Sequence, residues 1–238
     1  KANPMSTVSL PSGGSAPTPP NPQAVAPPIP KFDAAQASRF FRAVVADDGG
    51  PHEIRLFHAR YSYGVVSPND ISHSSTFGGW YDKESDYLID LQRIDGVSAY
   101  VTVNPVKPDL LARCNNRLKL IRSGQGTKDE DILAYKRILL DIDPKRDSGI
   151  SATDDELAKA IVVRDKILAD HPEIAAASIW GKSGNGAWIL VRMPDTTWTK
   201  GKKLAETFIS RISLLYSIPR EVEVDPATIN ASRVMCVP

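Results

Sequence analysis

From Phe32 onward the apolar positions fall into periodic runs. Phe32, Phe40, Phe41, Val44 and Val45 recur at helical spacing, and residues 53–58 alternate like a half-buried strand. A second helix is expected over residues 83–94. After Asp95-Gly96 a β-rich run follows over residues 98–103, stopped by Asn104-Pro105. Residues 106–130 are charged and predict loops with one short helix. Together these elements predict a mixed α/β lobe.

The second half is patterned more sharply. Residues 136–143 contain Ile138-Leu139-Leu140-Asp141-Ile142-Asp143, a buried strand ended by Pro144. Thr153 with Glu156 three residues later has the spacing of a capping box. Leu157, Ile161, Val162, Ile167 and Leu168 give the helix that follows an apolar face up to His171-Pro172. Two strand-like runs, 175–180 and 187–193, flank the polar Lys182–Gly186 connection and predict a hairpin. A helix over residues 199–216 carries Leu204, Phe208, Ile212 and Leu215, and strand returns at Val222, Val224 and residues 232–237. The order is βαββαβ. The expected fold class is therefore α+β, with a split βαβ sheet of the ferredoxin-like or RRM-like kind and two helices on one face.

Residues 1–31 are dominated by Pro, Ser, Gly and Ala and read as a tail or linker. Met5 is compatible with a native start, the four residues before it then being an appended scar. The expected organisation is this tail, an N-terminal lobe over 32–130 and a catalytic lobe over 131–238. With 29 basic against 28 acidic residues the chain has no global positive bias, so a nucleic-acid site has to be a local patch. Cys114 and Cys236 are far apart without a CxxC pair, which argues against a disulfide framework or zinc site and for free thiols in a reducing compartment. No apolar run is long enough for a membrane span, and the chain reads as cytoplasmic.

Candidate chemistry centres on acids. Asp141 and Asp143 stand two apart on one strand, so both project from one face with Cα atoms roughly 6 to 7 Å apart. Oxygen-only sites suit Mg²⁺ or Mn²⁺, and a pair of such ions stabilises both the attacking and the leaving oxygens of phosphoryl transfer. The structural alternative is a strand-end salt-bridge cluster with Lys145 and Arg146. Asp225 is a third acid that the topology can bring alongside, with Glu223 on the same side; an ordinary turn-starting Asp before Pro226 is its alternative. Lys182, Ser183 and Asn185 offer an ammonium, a hydroxyl and an amide to a triphosphate, or make a plain hairpin turn. The stretch lacks P-loop spacing. Arg233 is suited to phosphate or to pairing with Glu223.

The motifs DIDPKR at 141–146, SGNGAW at 183–188 and VEVDPATINASRVMCVP at 222–238 resemble, in order and spacing, the three motifs of archaeo-eukaryotic primases, especially plasmid and phage primase-polymerases. YVTVNPVKPDLLAR at 100–113 is similar to the segment ahead of the first motif, so the likeness spans about residues 36–238. The resemblance implies an α/β lobe joined to an RRM-like catalytic lobe and a single-stranded DNA template in the cleft between them. It also implies nucleoside triphosphates and two Mg²⁺ or Mn²⁺ ions at the sheet. Asp141, Asp143 and Asp225 match its catalytic metal ligands, Ser183 the serine of its second motif, and Arg233 a common arginine after the third acid. Trp188 stands where that second motif ends in a triphosphate-binding histidine, which changes the subsite to one indole N–H and a stacking face. A core-filling aromatic is the alternative for Trp188, and His52, His58, His73 and His171 read as surface or structural. Relatives continue past the equivalent of Pro238, often into a helicase, so a longer protein with a helicase partner or domain is expected.

The leading expectation is a DNA primase and DNA polymerase of a bacterial or archaeal mobile replicon. The template would be gripped by a local basic surface, Arg113, Arg117, Lys119 and Arg122, or those four form a solvated loop. A second reading is a replication-initiation or single-strand-binding module of the same fold whose polymerase site has decayed. A rolling-circle-type nuclease ranks last because the sequence contains no His-x-His pair.

Overall fold

The computed structural model describes residues 33–46, 49–57, 60–61, 76–92, 94–95, 99–122, 124–147 and 150–237. The chain divides into Lys1–Pro30, which lies outside the described residues together with His58 and His73, and a compact unit Lys31–Pro238. The first elements are helix α1 (Ala34–Phe41), strands β1 (His52–Phe57), β2 (Arg60–Tyr61) and β3 (Thr76–Tyr81), helix α2 (Glu84–Gln92), and strands β4 (Ile94–Asp95), β5 (Ala99–Thr102) and β6 (Lys119–Ile121). They are followed by β7 (Tyr135–Pro144), helices α3 (Asp154–Asp170) and α4 (Pro172–Ala176), the strands β8 (Ser178–Lys182) and β9 (Ala187–Thr196), helix α5 (Trp198–Tyr216), β10 (Val222–Val224) and β11 (Val234–Cys236). The fold is mixed α+β with two antiparallel sheets. One has the order β11-β5-β1-β3-β6 and the other β10-β7-β9-β8, while β2 and β4 form a separate ribbon.

Strand β7 is apolar at consecutive positions because both of its faces are covered. Ile138, Leu140 and Ile142 join Ile189 of β9 in a core against Ala160, Val163 and Ile167 of α3 and Ala205, Ile209 and Ile212 of α5. On the opposite face, Leu139, Leu190 and Trp188 enter a second core with Ile54, Leu56, Phe77, Tyr81 and Val101 of the five-stranded sheet and Phe40 and Phe41 of α1. The two sheets are therefore joined through the face of the four-stranded sheet that also carries Asp141 and Asp143. The link is reinforced by the buried Asn104. Its amide NH₂ donates to the Ala231 carbonyl at 3.1 Å, and its oxygen accepts from the N–H groups of Lys136 and Arg137 at 2.7 and 2.9 Å.

The α3 capping box is present, Thr153 Oγ1 accepting from the Glu156 N–H at 3.3 Å and Glu156 Oε2 accepting from the Thr153 N–H at 2.8 Å. The buried stripes of the helices match the expected ones in part: Ile167 and Ile212 are buried, and Ile161, Leu168 and Phe208 pack against the core. In α3 it runs through Ala160, Val163 and Ile167, with Val162 exposed; in α5 it runs through Gly201, Ala205, Ile209 and Ile212, with Leu204 and Leu215 exposed. Small residues win on α5 because the helix lies so close to Tyr135 that a Cβ on Gly201 would stand 2.2 Å from its Cγ. The expected strand from 175 begins instead at Ser178, since Pro172 starts the short helix α4. The 106–130 segment carries two 3-10 turns and strand β6 rather than one short helix. The chain's last strand, expected with the second lobe, crosses back: β11 pairs with β5 of the five-stranded sheet.

Candidate active site

Side chains alternate along β7, so Leu139, Asp141 and Asp143 leave the sheet on the side opposite α3 and α5. The register sets Asp141 across from Trp188 and Asp143 across from Glu223. Leu139 and Trp188 bury that face at one end, while the acids occupy the end the second core leaves open. Asp225 follows β10 and arrives beside Asp141 because its N–H donates to the Asp141 carbonyl at 2.8 Å. The turn behind it is fixed by Thr228, whose hydroxyl donates to the carbonyls of Leu139 (2.9 Å) and Asp225 (3.1 Å), and by the Ala227 N–H on Asp225 Oδ1 at 2.8 Å.

Arg233 completes the cluster. Its Nη2 lies 3.7 Å from Asp141 Oδ2 and 3.6 Å from Asp225 Oδ2, and its Nε is buried without a hydrogen-bond partner. Of the two roles open to it in the sequence, pairing with Glu223 is not the one seen: Glu223 is held by Lys145. Arg233 is positioned by its neighbours in the fold. Its carbonyl accepts from Val103 N–H at 2.8 Å, and the preceding Ser232 gives its N–H and hydroxyl to Asp129 Oδ1 at 2.9 and 2.8 Å. Asp129 is thus a positioning residue that sequence reading passed over as one more charge in a loop. Burial opposes its ionisation, yet the Ser232 hydrogen bonds and the Lys202 ammonium hold its carboxyl below the usual range.

The charge balance at the acids is incomplete. Burial, with the Asp143 and Asp225 charges adding and Arg233 offsetting in part, pushes the Asp141 carboxyl from 3.8 to about 7. Burial likewise raises Asp143, and the Arg146 charge holds it back in part. Among the described residues no three His, Cys, Asp or Glu side chains are clustered as a ready-made metal site. A guanidinium lies between two of the carboxylates.

The other expected site residues distribute differently. Ser183 closes the hairpin, its Oγ accepting from the Gly186 N–H at 3.0 Å and its own N–H donating to the Gly186 carbonyl at 2.9 Å. Lys182 pairs in register with Ala187, which puts it on the helix-covered side of the sheet, away from Asp141 and Asp143. Asn185 Oδ1 accepts from the Ala152 N–H at 3.1 Å, tying the hairpin to the start of α3. Trp188 is a core residue, 6% exposed, its ring lying over Gly181, where a Cβ would come within 2.5 Å of Cζ2. Its Nε1 has no hydrogen-bond partner. Gly186 has to lack a side chain: a Cβ there would lie 2.3 Å from Asp143 Oδ1 and 2.7 Å from the Ile142 carbonyl.

Arg113, Arg117, Lys119 and Arg122 are all exposed along one segment, with Arg113 and Lys119 over the Trp80 ring at 5.7 and 5.9 Å. They sit by β6, at the opposite edge of the five-stranded sheet from β11 and Arg233. Four strand spacings separate those edges, roughly 19 Å. His52 is buried with its Nδ1 2.7 Å from the Thr102 carbonyl, and His171 packs edge-on to Tyr216, both structural roles. Cys114 and Cys236 are free thiols. No described helix is long and apolar enough to cross a membrane.

Beside Asp143 opens a hollow of about 430 Å³ between the chain leaving β7 and the hairpin tip, lined by Asp143, Arg146, Asp147, Ile150, Ser151 and Asn185. Comparison with protein-family models finds no matching family, and comparison with curated proteins finds no match.

Proposed function

We propose that the chain is a metal-dependent nucleotidyltransferase, a template-directed primase-polymerase of the archaeo-eukaryotic primase type, built on an RRM-like catalytic sheet. The observation that carries this reading is that Asp141 and Asp143 share the open end of one sheet face and that the Asp225 N–H, donating to the Asp141 carbonyl, holds a third acid next to the first. Strand order β10-β7-β9-β8 with α3 and α5 on the other face supports the RRM-like description.

The donor set suits Mg²⁺ or Mn²⁺. Carboxylate oxygens are the ligands those ions take, and burial, which raises the Asp141 and Asp143 carboxyls, is a cost that a bound cation would offset. Asp141, Asp143 and Asp225 would hold the ions, which when bound neutralise charge on the transferring phosphoryl group and its two flanking oxygens. The chain's own residues do the rest: Arg233 offers a guanidinium to phosphate, Gly186 leaves room for the Asp143 carboxylate, and the Arg113–Arg122 surface grips single-stranded template through its phosphates.

The buried Trp188 favours one rival, a DNA-binding or replication-initiation module of the same fold with a weakened catalytic site, because it leaves the second motif without a cation. One assay separates the two. The protein is incubated with Mn²⁺ or Mg²⁺, single-stranded templates and both nucleotide sets, with and without primer, alongside an Asp141→Ala, Asp143→Ala double variant. New product that disappears in the double variant is expected. Salt-sensitive DNA binding with no product from the native chain supports the binding module and sinks the polymerase reading.

A further inference from the structure

We infer that the outer flank of helix α5 is a docking surface for an amphipathic helix of a partner protein, one with apolar residues three and four apart around a central carboxylate. It lies on the side of the four-stranded sheet opposite Asp141 and Asp143, since α5 covers that side.

The inner face of α5 is made by Gly201, Ala205, Ile209 and Ile212, and the approach to Tyr135 leaves no room for a side chain at Gly201. Larger apolar residues are displaced to one flank. Leu204, Phe208, Arg211 and Leu215 recur at intervals of four, three and four residues, which at about 100° per residue keeps them within about 60° of one another. Phe208 is partly buried against the first core, whereas Leu204 and Leu215 are 55% and 58% exposed. Leu214, 85% exposed, and Ile218, just past the helix end, add apolar surface at the C-terminal end. Single exposed leucines are ordinary on a protein surface. Repeated at this spacing along one flank, they have the pattern of the seam by which helices pair.

Charge decides the occupant. Arg211 sits within the seam, with Lys200 and Lys203 along its outer border, and all three are exposed. Lys202 pairs with Asp129, but among the described residues none of these three cations forms an ion pair. Glu206, the one acid of α5, is turned about 140° away from Arg211. A second copy therefore fits poorly. In a two-fold antiparallel pair of α5 the midpoint of the seam falls between Phe208 and Arg211. Both guanidiniums then come to the middle of the interface, within about one helical turn of each other, with no carboxylate to offset them. A nucleic-acid backbone would use the cations and leave the leucines in water. An entirely apolar helix would bury the Arg211 charge unpaired. A partner helix with leucines on the seam and a carboxylate at its centre satisfies both the leucines and the arginine.

The test titrates the native chain, by fluorescence anisotropy, into a labelled synthetic peptide about three heptads long. The peptide carries leucines at the three- and four-residue spacing, a glutamate at the central seam position and acids along its flank. One control peptide has lysine in place of the central glutamate; the other has the same composition in scrambled order. The native chain is expected to bind the glutamate peptide about tenfold or more tightly than either control. Leu204→Ser and Leu215→Ser are each expected to weaken that binding about tenfold, as loss of a buried leucine contact does. Arg211→Glu is expected to reverse the preference, losing the glutamate peptide and gaining the lysine peptide, and that gain shows the variant to be folded. No binding of the glutamate peptide, equal binding of the scrambled one, or a preference unchanged in Arg211→Glu overturns the assignment. Sedimentation that shows a dimer of the native chain, dissolved by Leu215→Ser, overturns it in favour of a second copy. Single-stranded DNA binding that Arg211→Glu abolishes overturns it in favour of a nucleic acid.

Discussion

At the scale of single residues the site is governed by the burial of its carboxylates. Asp141 titrates near 7 in the folded chain against about 3.9 when unfolded, so between those values the native state binds the extra proton. Stability of the metal-free protein is therefore expected to fall as pH rises from about 4 to about 7. The loss should be on the order of 1 to 2 kcal/mol, discounted because the Asp141 side chain is 28% exposed. Thermal melts in chelator across that range check it, and Asp141→Asn should flatten the profile; an equally steep profile in that variant would refute the assignment. Gly186 makes a second residue-scale prediction. Gly186→Ala forces its methyl onto Asp143 Oδ1 and the Ile142 carbonyl, so the carboxylate and the strand backbone must both move, and metal-dependent activity is expected to drop on the order of 10- to 100-fold together with a lower melting temperature. Activity equal to that of the native chain would show that Asp143 needs no fixed position.

Elements show where local pattern suffices. The Thr153-x-x-Glu156 box is legible in the sequence and present in the fold because capping satisfies donors within one turn and needs nothing from elsewhere. Thr153→Ala is expected to cost about 1 kcal/mol, read from denaturant unfolding at constant m-value. The apolar face of α5 was less legible. Leu204 and Leu215 have the hydrophobicity of a core stripe, but the helix approaches β7 at Gly201, where no side chain fits over Tyr135, and buries Ala205 on the same face. Which face of an amphipathic helix turns inward depends on the shape of what it meets, and a one-dimensional pattern carries no such shape.

Across the whole molecule, two cores share the four-stranded sheet, and Trp188 shows what that sharing decides. Its place in a run that resembles the second motif of the primases points to a nucleotide subsite or a core aromatic, and it is buried in the second core with Leu139 and Leu190. Trp188→His is accordingly expected to destabilise the chain by roughly 3 kcal/mol, the scale of removing a buried aromatic, without raising activity. A variant as stable as the native chain and more active would make position 188 part of the site.

The chain's own order of residues determined the capping box, the hairpin at Lys182–Gly186 and the shared face of Asp141 and Asp143. Each follows from a period or a turn preference that acts over a few residues. Only the tertiary structure decided that Asp225 stands beside Asp141, that Arg233 bridges the two, that Lys182 faces away, that Arg146 is fixed on two carbonyls, and that β11 returns to the first sheet. Those relations join residues up to 130 and more positions apart, as with Val234 and Thr102. They are set by packing of two cores against one sheet, which no local pattern encodes.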